Sequence, residues 1–297
     1  MPEGDTIHRL AQRINERLAG QRCLGCVTRD PRLVGLDLRE AVLVEAVAVG
    51  KHLFVRFDDG RSLHVHLGMD GRVIVGPRSS APEWRRRIEL RFAAGWLTGE
   101  DLPEVGVVAT AGEAQFVGHL GPDVLGDTAI DVLDAAARLR REPDRPLAGA
   151  LLDQRHLAGF GNVFAVEVPF IAGVSAFQPV GSIGGLDGLV GVGVALIRYS
   201  AGDGRRNTTG RRLSAADHWV YGRAGRPCQV CDTPITGADE RSTPWGRVTA
   251  WCPACQPLGP SAAVDLQRVR RLLALHPARR LAPFPSAAPD SSERGAH

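Results

Sequence analysis

The chain opens Met1-Pro2-Glu3-Gly4-Asp5-Thr6, and directly after it Ile7, Leu10, Ala11, Ile14 and Leu18 recur at helical spacing. The spacing predicts an amphipathic helix with Asp5 or Thr6 as its N-cap, ended by Gly20. If Met1 is removed, the chain begins with the secondary amine of Pro2, and a carboxylate follows at Glu3. An α-amino group titrates near ~7.7–8.0, so a share of it is free base at neutral pH. Such an amine attacks an aldehyde to form an iminium, and Glu3 is placed to donate or accept protons. The positive end of the helix disfavours the protonated amine and favours nearby anions. The plainer reading of these residues is a helix lead-in without chemistry, and the rest of the chain decides between the two.

With 297 residues, the chain suggests two domains and ample length for a buried core. Its 44% hydrophobic and 23% charged content place it among ordinary globular proteins. The apolar stretch 183–197 is glycine-rich and interrupted by Asp187, which argues against a membrane span. No signal peptide precedes the first helix, so a cytoplasmic location is expected. Net charge is only +3, but from Ala201 onward 14 Arg face 8 Asp plus Glu, a balance that suits a polyanionic partner. Among the 36 Lys and Arg, Lys51 is the single lysine. Arginine cannot give up its proton to act as base or nucleophile, so a lone lysine is a candidate for amine chemistry; chance survival in an arginine-biased chain is the other reading.

Six cysteines fall into three Cys-x-x-Cys pairs. Cys228/Cys231 and Cys252/Cys255 are separated by 20 residues, the spacing of a four-thiolate zinc ribbon with one structural ion. Cys23 and Cys26 have no second pair near them and read as small buried thiols on a strand. In a reducing compartment disulfides are not expected.

An apolar segment at 40–49, alternating segments at 53–57, 63–67 and 88–92, and the short run Val73-Ile74-Val75, with Asp-Gly turns at 59–60 and 70–71, predict strands of a sandwich or barrel. Lys51 follows one of them behind Gly50. Beyond about Asp127 the pattern turns helical: 131–141, Leu147–Leu152, and an apolar helix ending near Ala172. The turn before this last helix, Gly159-Phe160-Gly161-Asn162, predicts Asn162 as its cap and exposes amides suited to phosphate. The basic segment 202–212 reads as a mobile loop, one basic helix is expected near 263–275, and the Pro/Ala/Ser tail reads as disordered.

Taken in order, Pro2-Glu3-Gly4-Asp5-Thr6, Gly50-Lys51-His52-Leu53, His66-Leu67-Gly68-Met69, Gly121-Pro122-Asp123, residues 157–167, His218-Trp219-Val220-Tyr221-Gly222-Arg223 and Trp251-Cys252-Pro253-Ala254-Cys255-Gln256 resemble the Fpg/Nei family of DNA glycosylases, more closely its endonuclease VIII (Nei) branch. The resemblance ends at about Gln256. It implies an α+β fold: an N-terminal β-sandwich carrying the catalytic helix (1–124), a helix-two-turn-helix domain (125–222), a four-cysteine zinc ribbon (223–257), and a basic, partly disordered extension (258–297). It implies a monomer that binds damaged DNA, duplex or single-stranded, and flips a base out of the stack. By resemblance Pro2 is the nucleophile, Glu3 the general acid, and Lys51 a catalytic lysine beside a phosphate. Asn162 and Arg247 bind phosphate, and Met69 is the wedge left in the DNA, where core packing is its alternative. The purine-specific branch carries an Arg and a Phe near 102–106; Leu102-Pro103-Glu104-Val105-Gly106 has neither, which points to oxidised pyrimidines. The alternatives are a formamidopyrimidine-type purine specificity, a non-catalytic damaged-DNA-binding protein, and an RNA-associated ribbon protein. Aromatics at only 5% offer no stacking platform for the last of these.

Overall fold

The computed structural model describes residues 2–126, 130–203, 206–211 and 217–280. Met1, residues 204–205 and 212 of the loop expected to be mobile, and the 281–297 tail lie outside the described residues, and so do the expectations placed on them; 206–211 of that loop are instead bonded in place, with Asn207, Thr208 and Thr209 buried. Helix α1 (Gly4–Leu18) buries Ile7, Ala11, Ile14 and Leu18 of the predicted stripe and half-buries Leu10. That stripe lies on two four-stranded antiparallel sheets. One runs in the order β2 (Leu43–Val49), β3 (His52–Phe57), β4 (Arg61–His66) and β8 (Glu104–Ala109). The other runs β1 (Gly25–Thr28), β6 (Arg86–Phe92), β7 (Gly95–Glu100) and β5 (Arg72–Gly76).

Period-2 alternation aims Leu53, Val55 and Phe57 from one sheet, and Ile88, Leu90 and Phe92 from the other, into one core shared with α1. Each such side chain, fully buried, contributes about 1.5–3 kcal/mol. The predicted β-sandwich is present. Strands β7 and β8 fall outside the predicted segments, because Gly-Trp-Leu-Thr-Gly-Glu and Glu-Val-Gly-Val-Val-Ala break the alternation with glycine. Gly99 is required by packing: a Cβ there would stand 2.5 Å from Leu102 and 2.9 Å from Ile88.

After α2 (Ala114–Val117) the chain builds a second core from α3 (Val132–Leu139), α4 (Leu147–Leu152), α5 (Asn162–Ala172) and α6 (Leu186–Asp203). Every residue of α5 is buried. Helix α6 lies against α1, α3 and α5, which explains an apolar sequence with no polar stripe. No described helix is long and apolar enough to cross a membrane. The short parallel pair β9 (Ile183–Gly184) and β12 (Ala262–Ala263), the ribbon hairpin β10 (Thr236–Ala238) and β11 (Thr249–Trp251), and α7 (Leu266–Leu272) complete the described strands and α-helices. Cys228, Ile235, Ala250 and Cys252 of the ribbon, and Val269 and Leu273 beyond it, are buried in this same core. The basic helix expected near 263–275 is α7.

One buried charge ties these parts together. Glu167, on α5 and fully buried, accepts backbone N–H bonds from Trp219, Val220 and Tyr221, each at 2.8 Å, and a hydroxyl bond from Thr208. The carboxylate therefore shapes the chain between α6 and the ribbon as a turn that wraps an anion. Glu167→Ala leaves two buried N–H donors and one half-buried donor unmet, at about 1–3 kcal/mol for each buried one. Urea unfolding should show a loss of at least about 2 kcal/mol, and an unchanged midpoint would refute this role.

Candidate active site between the two cores

Glu3 occupies the N-cap position of α1, yet its side chain makes no cap bond to that helix. It crosses instead to the start of α5. Oε2 accepts from Gly161 N–H at 3.0 Å and Oε1 from Val163 N–H at 2.8 Å, with the residue fully buried. The adjacent Gly4 N–H donates to Gly159 O at 2.9 Å. The contact is so close that a Cβ on Gly4 would stand 2.9 Å from Gly159 Cα, and one on Gly161 would overlap the Glu3 side chain. Two expected caps are thereby corrected. Neither Asp5 nor Thr6 is the N-cap of α1, because the helix already begins at Gly4 with Glu3 in the cap position. Asn162 is the first residue of α5, not its cap: Gly161 holds that position, and Glu3 accepts from the N–H groups of Gly161 and Val163 from across the cleft.

Asp5 points the same way. Arg206 grips it with two bonds, Nε at 3.0 Å and Nη2 at 2.5 Å. The same Nη2 reaches Thr6 Oγ1 at 3.0 Å, and Nη1 lies 3.7 Å from Glu3 Oε1. Burial pushes the Asp5 carboxyl up, but the Arg206 bonds and charge, helped by Arg9, hold it below the usual range. Sequence reasoning missed Arg206, which sits in a polar segment with no periodic signal.

Lys51 stands on the turn between β2 and β3, at the positive-φ Gly50. Gly50 N–H donates to Asp123 Oδ2 at 2.8 Å, and Asp123 Oδ1 accepts from Leu125 N–H at 3.0 Å, so the Gly121-Pro122-Asp123 motif fixes the lysine's turn. Burial drives the Lys51 ammonium pKa down; Glu3 opposes this, while Arg247 and Arg206 add to it. Pro2, Lys51, His66, Met69 and Arg247 line one small cavity of about 110 Å³. It adjoins a larger one of about 610 Å³ bounded by Pro2, Met69, Arg9, Arg72, Arg85 and Arg206. Met69 is 54% exposed, so core packing does not explain it. His66, which the sequence does not single out by itself, also faces this site, with its pKa lowered by burial against the pull of Glu104.

Asn162 is fully enclosed, and its Nδ2 donates to Val248 O at 2.7 Å. This bond joins the start of α5 to the ribbon residue that follows Arg247. Arg247 is exposed, and its N–H donates to Thr243 Oγ1 at 3.0 Å, which folds the hairpin tip over the cleft. Tyr221, another motif residue, has its phenol pKa raised by burial and then by Glu3, against the pull of Arg206 and Asn162.

Behind the hairpin, Cys228, Cys231, Cys252 and Cys255 present their sulfurs within 4.8 Å of one another. Individual pairs stand at 4.0, 3.5 and 3.5 Å. Zn–S bonds of about 2.3 Å in a tetrahedron separate sulfurs by about 3.8 Å, so the four thiols fit a metal ion of that kind. Cys23 is buried and Cys26 partly so; both are free, with pKa values raised by burial.

Residues 1–108 match the formamidopyrimidine-DNA glycosylase N-terminal domain. Endonuclease 8 2 of Mycobacterium tuberculosis is 40% identical over 260 residues, covering 86% of this chain and 100% of its own. DNA-(apurinic or apyrimidinic site) lyase Nei2 of Mycolicibacterium smegmatis is 39% identical over 256 residues, covering 86% and 99%. Among solved structures, the Lactococcus lactis formamidopyrimidine-DNA glycosylase non-covalently bound to AP-site DNA superposes with a TM-score of 0.73, covering 86% of this chain and all of that one, at 20% identity. An N-terminus held between both cores, a cysteine cluster of ribbon spacing and relatives matched over their full length agree: the chain belongs to the formamidopyrimidine-DNA glycosylase and endonuclease 8 family.

Proposed function

We propose that this chain is a base-excision repair enzyme, a DNA glycosylase and abasic-site lyase that acts on oxidised bases, in particular pyrimidines. The observation that carries the reading is convergence: Pro2, Lys51, Met69 and Arg247 come from four separate segments and line one cavity. A protein that only binds DNA needs cations there, but it needs no terminal secondary amine beside a buried carboxylate.

In this reading, damaged DNA, duplex or single-stranded, lies between the sandwich (1–124) and the helical region (125–222), and one nucleotide turns into the cleft. With Met1 removed, the Pro2 nitrogen attacks C1′ and the glycosidic bond breaks. Glu3 supplies the proton that helps open the sugar. The resulting iminium acidifies the 2′ hydrogen; its loss expels the 3′ phosphate by β-elimination, and δ-elimination then expels the 5′ phosphate. Lys51 and Arg247 face the phosphates beside the lesion, where a guanidinium can bond two oxygens at once. Asn162, placed at the first turn of α5, would contact the backbone as well, which requires its Nδ2 to leave Val248 O when DNA enters. Met69 fills the gap left by the flipped base, as exposed apolar wedges do. The segment 102–106 supports the pyrimidine assignment. Leu102 is buried, Glu104 starts β8 opposite His66, and Pro103 packs on Gly68, so this segment offers no second pair of void-filling side chains.

The four ribbon thiols would hold one structural zinc ion, which leaves no open position for water. Its contribution is to keep Arg247 and Val248 over the cleft. The enzyme would act as a monomer in the cytoplasm.

Pro2→Gly, in a protein whose Met1 removal has been verified, should lose strand cleavage at an abasic site while its DNA affinity stays within about twofold. Retained cleavage would contradict the nucleophile assignment. Cys252→Ser should lower bound zinc from one ion per chain toward zero and weaken DNA binding, read by metal content and fluorescence anisotropy. Full affinity without metal would separate the ribbon from binding. Lys51 yields a prediction with a sign. Its pKa is lowered in the folded chain, so folding is penalised by its charge below that pKa and the penalty fades as pH rises toward the ordinary value of about 10.4. Lys51→Met should therefore raise the melting temperature at pH 7, with a gain that shrinks toward pH 10, while activity falls. A gain that does not depend on pH would contradict the burial argument.

A further inference from the structure

The segment after Gln256 is not explained by the family. The matched relatives cover 86% of this chain with nearly their whole length, and the motifs that carry the resemblance end at Gln256. Yet residues 258–280 are built into the fold. Val264 N–H donates to Gly184 O at 3.0 Å beyond the β12–β9 pair, and Asp265 N–H to Ala172 O at 3.0 Å. Asp265 caps α7 through Arg268 N–H. Arg268, 7% exposed, donates from Nε to Phe170 O at 3.1 Å and lies 4.7 Å over the Phe170 ring. Val269, Leu273 and Ala278 are sealed in the second core.

The far end of this segment meets the loop that carries Arg206. His276 is fully buried. Its Nδ1 accepts from Ala278 N–H at 3.0 Å, which leaves the ring proton on Nε2, and Nε2 donates to Asn207 O at 2.9 Å. Further along the loop, Gly210 (φ +73°) approaches His276 so closely that a Cβ would stand 2.8 Å from its Cα. Tyr199 of α6 packs edge-on against the same ring at 4.9 Å. The residue next to Asn207 is Arg206, whose guanidinium holds Asp5, Thr6 and Glu3. A continuous set of contacts thus runs from the segment after Gln256, through one carbonyl, to the residues beside Pro2.

We propose that this segment is a positioning element for the active site, with His276 and Arg206 as its two positioning residues. His276 fixes the carbonyl of Asn207, which sets the direction from which Arg206 reaches across the cleft. Arg206 then fixes the first turn of α1 and the Glu3 carboxylate, and so the approach of the Pro2 amine. The inference rests on the lyase reading given above. A displacement of even about 1 Å at a reacting group can lower a rate by about two orders of magnitude, so a contact this far from the amine can register in kinetics.

The test uses the full chain and a fluorescein-labelled duplex with one abasic site, reading the single-turnover rate of borohydride-trapped adduct and the Kd by anisotropy. His276→Ala should slow trapping about tenfold or more while Kd changes less than about twofold. His276→Gln, whose amide can still donate to Asn207 O, should restore most of the rate and guards against a folding defect in the first variant. In an Arg206→Ala background, His276→Ala should add no further loss, because both act through one contact path. A wild-type rate in folded His276→Ala protein, or losses that multiply with those of Arg206→Ala, would overturn the positioning role and leave the lyase reading standing. Wild-type protein that gives no adduct overturns the lyase reading, and the positioning role with it.

Discussion

The carboxylate of Glu3 at the start of α5 is the contact on which the rest of the site depends. A helix begins with N–H groups that have no partner within it, and burying them unmet costs free energy. Here two N–H groups at the start of α5, those of the cap Gly161 and of Val163, are met by a side chain from the other core. The same geometry draws Gly4 against Gly159 and leaves no room for a side chain at either Gly4 or Gly161. The N-terminus is therefore held in place between the two cores, where a free tail would otherwise fray. An amine at residue 2 of such a tail has a fixed direction of approach, which is what a nucleophile needs.

Charge is organised around the same point. The carboxyl groups of Glu3 and Asp5 are surrounded by Arg206, Lys51 and the positive end of α5. Desolvation is the main influence on Lys51. Placing a single lysine where its charge is costly is a poor way to stabilise a fold and a good way to meet a phosphate, because an incoming anion removes the penalty. Glu167 does for the 219–221 turn what Glu3 does for α5: it collects backbone N–H groups that secondary structure leaves unpaired. Two buried carboxylates thus organise the surroundings of one helix.

Much of this is legible in the sequence. The stripe Ile7, Ala11, Ile14 and Leu18 marks α1, period-2 alternation marks β3, β4 and β6, apolar runs mark β2 and β5, and the expected helix Leu147–Leu152 is α4 at its full length. Paired Cys-x-x-Cys spacing brings the four thiols together, since two tight turns on one hairpin scarcely allow another arrangement. What is not legible depends on long-range contacts. Asp5, Thr6 and Asn162 are good local caps, so local reasoning selects them, whereas the actual partner of α5 lies some 160 positions away in sequence. Arg206 and His276 carry no periodic or motif signal, and their role exists only through Asn207 O and Asp5. Strand β7 is hidden by a glycine that packing against Leu102 and Ile88 requires.

With Met1 removed, the chain has two aliphatic amines, the Pro2 nitrogen and Lys51 Nζ, because every other basic side chain of the Lys/Arg type is arginine. That makes the central claim easy to decide. The measurement is tandem mass spectrometry of the peptides from a borohydride-reduced complex with abasic-site DNA. The account predicts the sugar remnant on Pro2 in the N-terminal peptide, with Lys51 unmodified. A remnant on Lys51, or an intact Met1 preceding an unmodified Pro2, would contradict it.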